Sequence, residues 1–306
     1  MLWLTWRQHR TQLLVTLGFL AAVGGILLFS GQVALDSANG KVSSYCYGGG
    51  VPCREYDAGL EDLYQKIYPL IVMLPFVPLL AGIFWGAPLL AREYERNSYQ
   101  LVWTQSVSRG RWLGVKFAVL ASAAALAGLA SGQMLGKWLE IFPGKAETLA
   151  ETSYFGAVGI APVAWWLFAF TLGTAAGVLV RKTLPAIAIT VGVFVAASIA
   201  LLLLRPHYAE PVRTIGLDVS TKDADIVRLG LLAPDGRELG LLDDVPGCPR
   251  EREKTKCAEA VGYRSFTVYQ PAERFWRFQW TEAGILLAAT AVLGGVAVGG
   301  TVRRRR

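Results

Sequence analysis

Residues 92–116 read REYERNSYQLVWTQSVSRGRWLGVK. They lie between two apolar runs, 67–91 and 117–136. Each run is long enough to cross a bilayer as a helix, at roughly 20 residues per span. The polar piece between them opens with Glu93 and Glu95 set among Arg92 and Arg96, and closes on Ser108, Arg109, Gly110 and Arg111. At 3.6 residues per turn Tyr99, Val102, Trp103 and Val107 share one side of a helix, and Leu101, Gln105 and Ser108 share the other. A short amphipathic helix with this pattern lies flat on a membrane face, with Trp103 and Trp112 at headgroup depth. The same residues also suit a plain basic loop with interfacial tryptophans, so the rest of the chain has to decide.

Working outward, the 306 residues are 53% hydrophobic and only 17% charged, against about 25% charged in a soluble domain. The charges are segregated. Six runs contain no Asp, Glu, Lys or Arg: 13–29, 67–91, 117–136, 152–180, 183–204 and 283–302. This predicts an all-α integral membrane protein with six transmembrane helices, because a segment in lipid has to satisfy its own backbone. The transmembrane domain then comprises residues 1–204 and 283–306, and residues 205–282 form an insert between spans five and six.

Orientation follows from the basic residues. With both termini cytosolic, the inner segments hold thirteen basic residues against two acids, Glu93 and Glu95. The remaining seventeen basic and twenty-one acidic residues fall outside, and the two sides sum to the chain's +7. That bias obeys the positive-inside rule and predicts a multi-pass protein of the cytoplasmic membrane. The basic balance thus reflects topology, and nucleic acid is not expected as a partner. Cys46 and Cys53 fall in the first outer loop, Cys248 and Cys257 in the insert. Two local disulfides are expected from an even count confined to the oxidising side.

Along the chain, residues 1–12 mix Trp3 and Trp6 with Arg7 and Arg10, a pattern for an interfacial lead-in helix or for simple basic flanking. Span two carries Pro69, Pro75, Pro78 and Pro88, and a kink is expected at Pro75 with Pro78. Glycines at four-residue spacing mark close helix packing: Gly128, Gly132 and Gly136 in span three, Gly173 and Gly177 in span four, Gly295 and Gly299 in span six. The insert reads as a small extracytoplasmic α+β unit, with strands near 214–219, 226–232 and 265–269 and a turn at Pro234-Asp235-Gly236. The run at 132–138 superficially suggests a phosphate loop but lacks its spacing and its Ser or Thr, so ATP is not bound there. His9 and His207 lie on opposite sides and cannot share a metal, and no catalytic set is visible, so an enzyme is disfavoured. Spans free of charge also lack the ionisable group that ion-coupled carriers place in the membrane.

The 92–116 stretch resembles the coupling segment of type-two ABC exporter permeases. The resemblance rests on Arg92, Glu93, Glu95, Arg96, Ser98, Leu101, Val107, Ser108 and Arg109. It departs from the family pattern at Asn97, where Gly is common, and at Gln105-Ser106, where Pro often precedes the Val. It implies a permease subunit that exports a substrate with a separate ATP-binding cassette ATPase. The amphipathic inner segment would be a coupling helix, and Glu93, Glu95, Leu101, Ser108 and Arg109 would receive the ATPase. ATP and Mg would sit on that partner, with no cofactor in this chain, and a homodimer or heterodimer of permeases would complete the transporter. The alternative is a non-transport sensor or scaffold whose insert binds a ligand. On the topology, a Lys145→Cys variant is expected to react with a membrane-impermeant thiol reagent on intact cells, and labelling only after permeabilisation would reverse the assignment.

Overall fold

The computed structural model describes residues 2–41, 51–95, 109–142, 145, 147–216, 224–240, 243, 245, 248, 257–258 and 260–302. Six helices in it are long and apolar enough to cross a membrane: Arg10–Leu35, Glu61–Glu95, Gly114–Leu139, Ala161–Val180, Thr183–His207 and Ala272–Thr301, here spans one to six. Span four is the hub. Its apolar window is 78% buried within the protein, against 17–28% for the other five. Its sequence explains why: Ala161, Ala164, Ala169, Gly173, Ala175, Ala176 and Gly177 are small enough to admit neighbouring backbones.

Span two is not one continuous α-helix. An α-helix, Val51–Met73, gives way to a 3-10 turn at Leu74–Phe76, a short α-helix at Val77–Ala81, a π-turn at Gly82–Gly86 and a final α-helix at Ala87–Glu95. The 3-10 turn contains Pro75, where the expected break falls. In the π-turn the Ala87 N–H reaches back five residues to the Gly82 carbonyl. Pro88 has no N–H to offer the carbonyl of Phe84, four residues back. The Gln12 side chain of span one donates to that carbonyl instead, at 2.8 Å.

The π-turn sets Gly82 and Gly86 against span four. A Cβ on Gly82 would fall 2.6 Å from the Ala169 carbonyl oxygen, and one on Gly177 would fall 2.5 Å from that of Ala87. Gly86 and Gly173 are closer still, Gly86 against the Phe170 carbonyl and Gly173 against that of Gly82. On its other side span four meets span three, where a Cβ on Gly128 would lie 2.8 Å from the Pro162 carbonyl oxygen. Gly132 is nearly as tight, against Gly159 and Pro162. Of the remaining expected small-residue contacts, Gly136, Gly295 and Gly299 have nothing within 4 Å of such a Cβ.

Helix bounds differ from the apolar runs in instructive ways. The run at 152–180 becomes helix only at Ala161, because Gly159 takes a φ of +66° and Pro162 opens the helix. Residues ahead of it form turns, with a 3-10 turn at Phe155–Ala157. The last helix begins at Phe275, well before the apolar run at 283. The first helix, Leu2–Lys41, runs from the lead-in into span one without a break.

Between spans five and six the chain builds a four-stranded antiparallel sheet of order β1-β4-β2-β3, from β1 Val212–Ile215, β2 Asp225–Leu232, β3 Glu238–Gly240 and β4 Arg264–Gln270. A bulge between Ile226 and Arg228 shifts the β2–β4 register. The turn expected at Pro234-Asp235-Gly236 joins β2 to β3, with Gly236 at φ +85° and its N–H on the Ala233 carbonyl at 2.9 Å. Cys248 and Cys257 are bonded to each other beside the Leu231, Val245 and Ala258 cluster. Cys46 and the Cys53 side chain lie outside the described residues. Gln270, fully buried at the end of β4, donates to the Pro206 and Ala209 carbonyls at 2.8 and 2.7 Å and so fastens the sheet to the end of span five.

The glycine contacts carry a prediction. Gly173→Val should destabilise the detergent-solubilised protein by about 3 kcal/mol, since its branches would enter the span-two backbone. Gly295→Ala should leave the melting temperature unchanged or slightly higher. Equal melting temperatures for the two variants in fluorescence-detected size-exclusion scans would show that the close approach is not structural.

Candidate functional site

The ends of spans two, three, four and five that carry Glu93, Lys116, Arg181 and Lys182 meet at one end of the bundle, here the basic end. The last turn of span two places three consecutive side chains on three neighbours. Glu93 pairs with Lys116 of span three at 2.8 Å, and the Lys116 side chain is only 4% exposed. Tyr94 lies under the Arg181 guanidinium, 5.3 Å from ring centre to Cζ. Glu95 accepts from both the backbone N–H and the hydroxyl of Thr183, each at 2.8 Å.

Local sequence explains each contact. Thr183 is the first residue of the span-five helix, so its N–H has no partner inside the helix. A carboxylate there satisfies an orphan donor and complements the positive end of the helix dipole. Arg181 ends span four in the left-handed conformation at φ +59°, its N–H on the Gly177 carbonyl at 3.0 Å. That sharp reversal leaves Lys182 as the whole connection and brings Thr183 within reach of Glu95. Glu93 lies one turn after Leu89 and Leu90, which are buried against span three, so its carboxylate meets Lys116 as both helices leave the apolar layer.

Of the residues singled out by the sequence, Glu93 and Glu95 are thus placed and partnered. Arg109 opens the helix that becomes span three, Arg109–Leu139, and its side chain is not among those described. Leu101 and Ser108, with the amphipathic segment at 96–108, lie outside the described residues. Lys116 and Thr183 were legible only as a flanking charge and a helix start, because their partners lie 23 and 88 residues away.

The opposite, sheet-bearing end holds a polar cluster that sequence reasoning passed over. Arg205 at the end of span five and Glu282 in span six form an ion pair at 3.1 Å, with side chains 7% and 1% exposed. Glu282 also accepts from the Trp165 indole of span four at 3.0 Å. Arg205 donates to the Thr152 carbonyl at 3.1 Å and stacks over Phe155. One turn before Glu282, Gln279 donates to the Phe155 carbonyl and accepts from the Ala161 N–H, the first donor of span four. A Cβ at Gly159 would lie 2.9 Å from the Gln279 oxygen, so only glycine leaves that amide room. Burial pushes the nearby Tyr208 hydroxyl up to about 12, with the Glu282 carboxylate adding to the effect. Burial likewise raises the Asp225 carboxyl, while the Arg205 charge pulls it down.

The sequence had assigned both Arg205 and Glu282 to an outer segment, just beyond the charge-free runs. The helices extend past those runs, so Glu282 lies buried inside the bundle. The expectation of spans free of ionisable groups is corrected by Glu282, a carboxylate buried in the bundle and paired with Arg205. Among the described residues no group of three or more His, Cys, Asp or Glu side chains could hold a metal ion.

Six apolar helices, five of them around the buried fourth, with an antiparallel sheet between the last two, define a multi-pass membrane protein. Residues 17–205 match the family described as ABC-2 membrane transporter related, and the chain belongs to that family. No curated protein and no solved structure matches the chain.

The buried pair yields a test. Glu282→Ala should destabilise by about 3–5 kcal/mol, because it strands the Arg205 charge. The double variant Arg205→Met with Glu282→Leu should recover most of that loss. If Glu282→Ala melts like the wild type, the ion pair does not hold the spans together.

Proposed function

We propose that this chain is the permease subunit of an ATP-driven ABC exporter of the cytoplasmic membrane. Its basic end faces the cytosol, its sheet is extracytoplasmic, and a separate ATP-binding cassette subunit docks on the segment at 96–108. Family membership supports the transporter reading. One observation carries the mechanical part: Glu93, Tyr94 and Glu95 bind span two to span three, to the turn after span four and to span five. The segment at 96–108 leaves span two immediately after this clamp and joins span three. A force on it is delivered to four spans together rather than to one helix.

In this reading the chain is not itself an enzyme. ATP and Mg are held by the ATPase, and two permease copies, identical or related, complete the path. Span two is regular α-helix at Ala87–Glu95 and changes helical type at Gly82–Gly86 and Leu74–Phe76. Such joints let the inner portion tilt while the outer portion stays packed. The excess of basic residues at this end supports the orientation.

The decisive experiment is copurification of the native protein in mild detergent, with ATP hydrolysis measured on whatever is retained. An ATP-binding subunit is expected with the wild type. Leu101→Asp should reduce its retention about tenfold, since a charge would face an apolar partner surface. Glu95→Ala should retain the ATPase but break its coupling, so that ATP hydrolysis no longer responds to the permease. A wild-type preparation that never carries an ATP-binding subunit would overturn the exporter reading.

A further inference from the structure

Gly136 continues the row of Gly128 and Gly132 along span three, yet nothing lies within 4 Å of a Cβ built on it. The space beside it is a cavity of about 170 Å³ at the sheet-bearing end of the bundle. Three parts of the chain enclose it: the last turns of span three, the turns ahead of span four and the first turn of the last helix. Leu139, Val158 and Phe275, all buried, form its floor. Gln133, Lys137, Glu140, Glu147 and Trp276, all exposed, form its rim.

The charges of the rim do not cancel. Lys137 and Glu140 satisfy each other, the ammonium reaching the two carboxylate oxygens at 2.8 and 3.1 Å. The Glu147 carboxylate has no partner among the described residues, and neither has the Gln133 amide. The lining is left with one negative charge, one further unengaged acceptor and the face of an indole. Glu147 sits at φ +49°, a left-handed conformation that costs a residue with a Cβ. Phe275 meets Trp276 edge to face, ring centres 5.5 Å apart, and so braces the indole at the rim.

We propose that this cavity binds a primary ammonium group, which donates to the Glu147 carboxylate and the Gln133 amide oxygen and rests against Trp276. The positive charge matches the one the rim leaves uncompensated. The indole face attracts a cation as well. An ammonium with three N–H donors serves two separate acceptors, whereas a quaternary ammonium has no proton to give. The volume lies below the range of pockets for drug-sized molecules, roughly 300–1,000 Å³. That selects a headgroup or a small free amine over a whole lipid or a ring system. Two sources present such a group where an interfacial tryptophan stands: the ethanolamine head of a membrane lipid, and an amine dissolved in the water outside. Binding here goes beyond the exporter reading and does not rest on it.

The test uses the full-length permease labelled with fluorotryptophan and purified in an uncharged maltoside. Fluorine NMR follows the Trp276 resonance, assigned with Trp276→Phe. The probes are ethanolamine and dihexanoyl phosphatidylethanolamine, with choline and dihexanoyl phosphatidylcholine as their trimethylated counterparts. A saturable shift is expected with an ethanolamine probe, and clearly weaker binding of its counterpart. Saturation by ethanolamine itself assigns the site to free amines, and saturation by the phospholipid alone assigns it to a membrane lipid. Glu147→Gln should weaken binding about fivefold, the upper range for an exposed charge pair. Gly136→Leu should abolish the shift by filling the cavity. Gly295→Leu, where a Cβ also meets nothing, should leave it unchanged and so controls for added bulk. Absence of a saturable shift with every probe in a monodisperse wild-type preparation would overturn the site. So would unchanged affinity in Glu147→Gln or in Gly136→Leu, and equal affinity for the trimethylated probes would overturn the primary-ammonium assignment. None of these outcomes depends on whether an ATPase copurifies.

Discussion

The structure depends on the approach of span two to span four through glycine. Gly82 and Gly86 on one helix and Gly173 and Gly177 on the other put backbone against backbone. Lipid tails are as apolar as leucine, so helices in a bilayer gain nothing from hiding apolar side chains from each other. They gain from dispersion at short range, which close backbones supply in quantity. The π-turn at Gly82–Gly86 belongs to the same solution. It widens one turn of span two where the glycines meet span four, and the carbonyl left without a donor by Pro88 is taken up by Gln12. Span one is thereby recruited to a contact between two other helices.

With span four held in this way, the two ends of the bundle are fastened by different physics. At the basic end the contacts are charge-assisted and lie where water begins. Glu95 caps an exposed helix start, a contribution of about 1 kcal/mol, and the value of the clamp lies in its geometry rather than its strength. At the sheet end the Arg205–Glu282 pair is buried under Trp165, Thr152 and Phe155. A buried pair contributes little net stability against apolar residues of the same shape, yet losing one partner costs several kcal/mol. Any rearrangement that parted spans five and six would separate the two charges and incur that cost. The basic end is thus held by contacts that include an exposed helix cap, and the sheet end by a buried ion pair.

Much of this was legible in the residues. Six charge-free runs announce six spans, because a charge at the bilayer centre is costly enough to be written into composition. Pro75 marks the break in span two, Pro234-Asp235-Gly236 marks the hairpin, and the spacing of Cys248 and Cys257 marks their bond. Each of these is a local constraint, set by a missing N–H, a positive φ or a short loop. Glu93 and Glu95 were also visible as unusual, two acids in a basic segment, although nothing local names Lys116 or Thr183 as their partners.

What only the tertiary structure decided is which apolar surfaces face protein and which face lipid. Hydropathy cannot make that distinction, since both surroundings are apolar, so span four reads like its neighbours although it alone is buried. The same blindness hides the glycines that matter. Gly173 and Gly177 share their spacing with Gly295 and Gly299, yet only the first pair meets a backbone, and nothing local marks Gly82 and Gly86 in their proline-rich run. Arg205 and Glu282, 77 residues apart, each border an apolar run and look like ordinary flanking charges. They become one interaction only when spans five and six are set side by side around span four. Sequence determines what can enter the membrane; through-space pairing determines what each helix finds there.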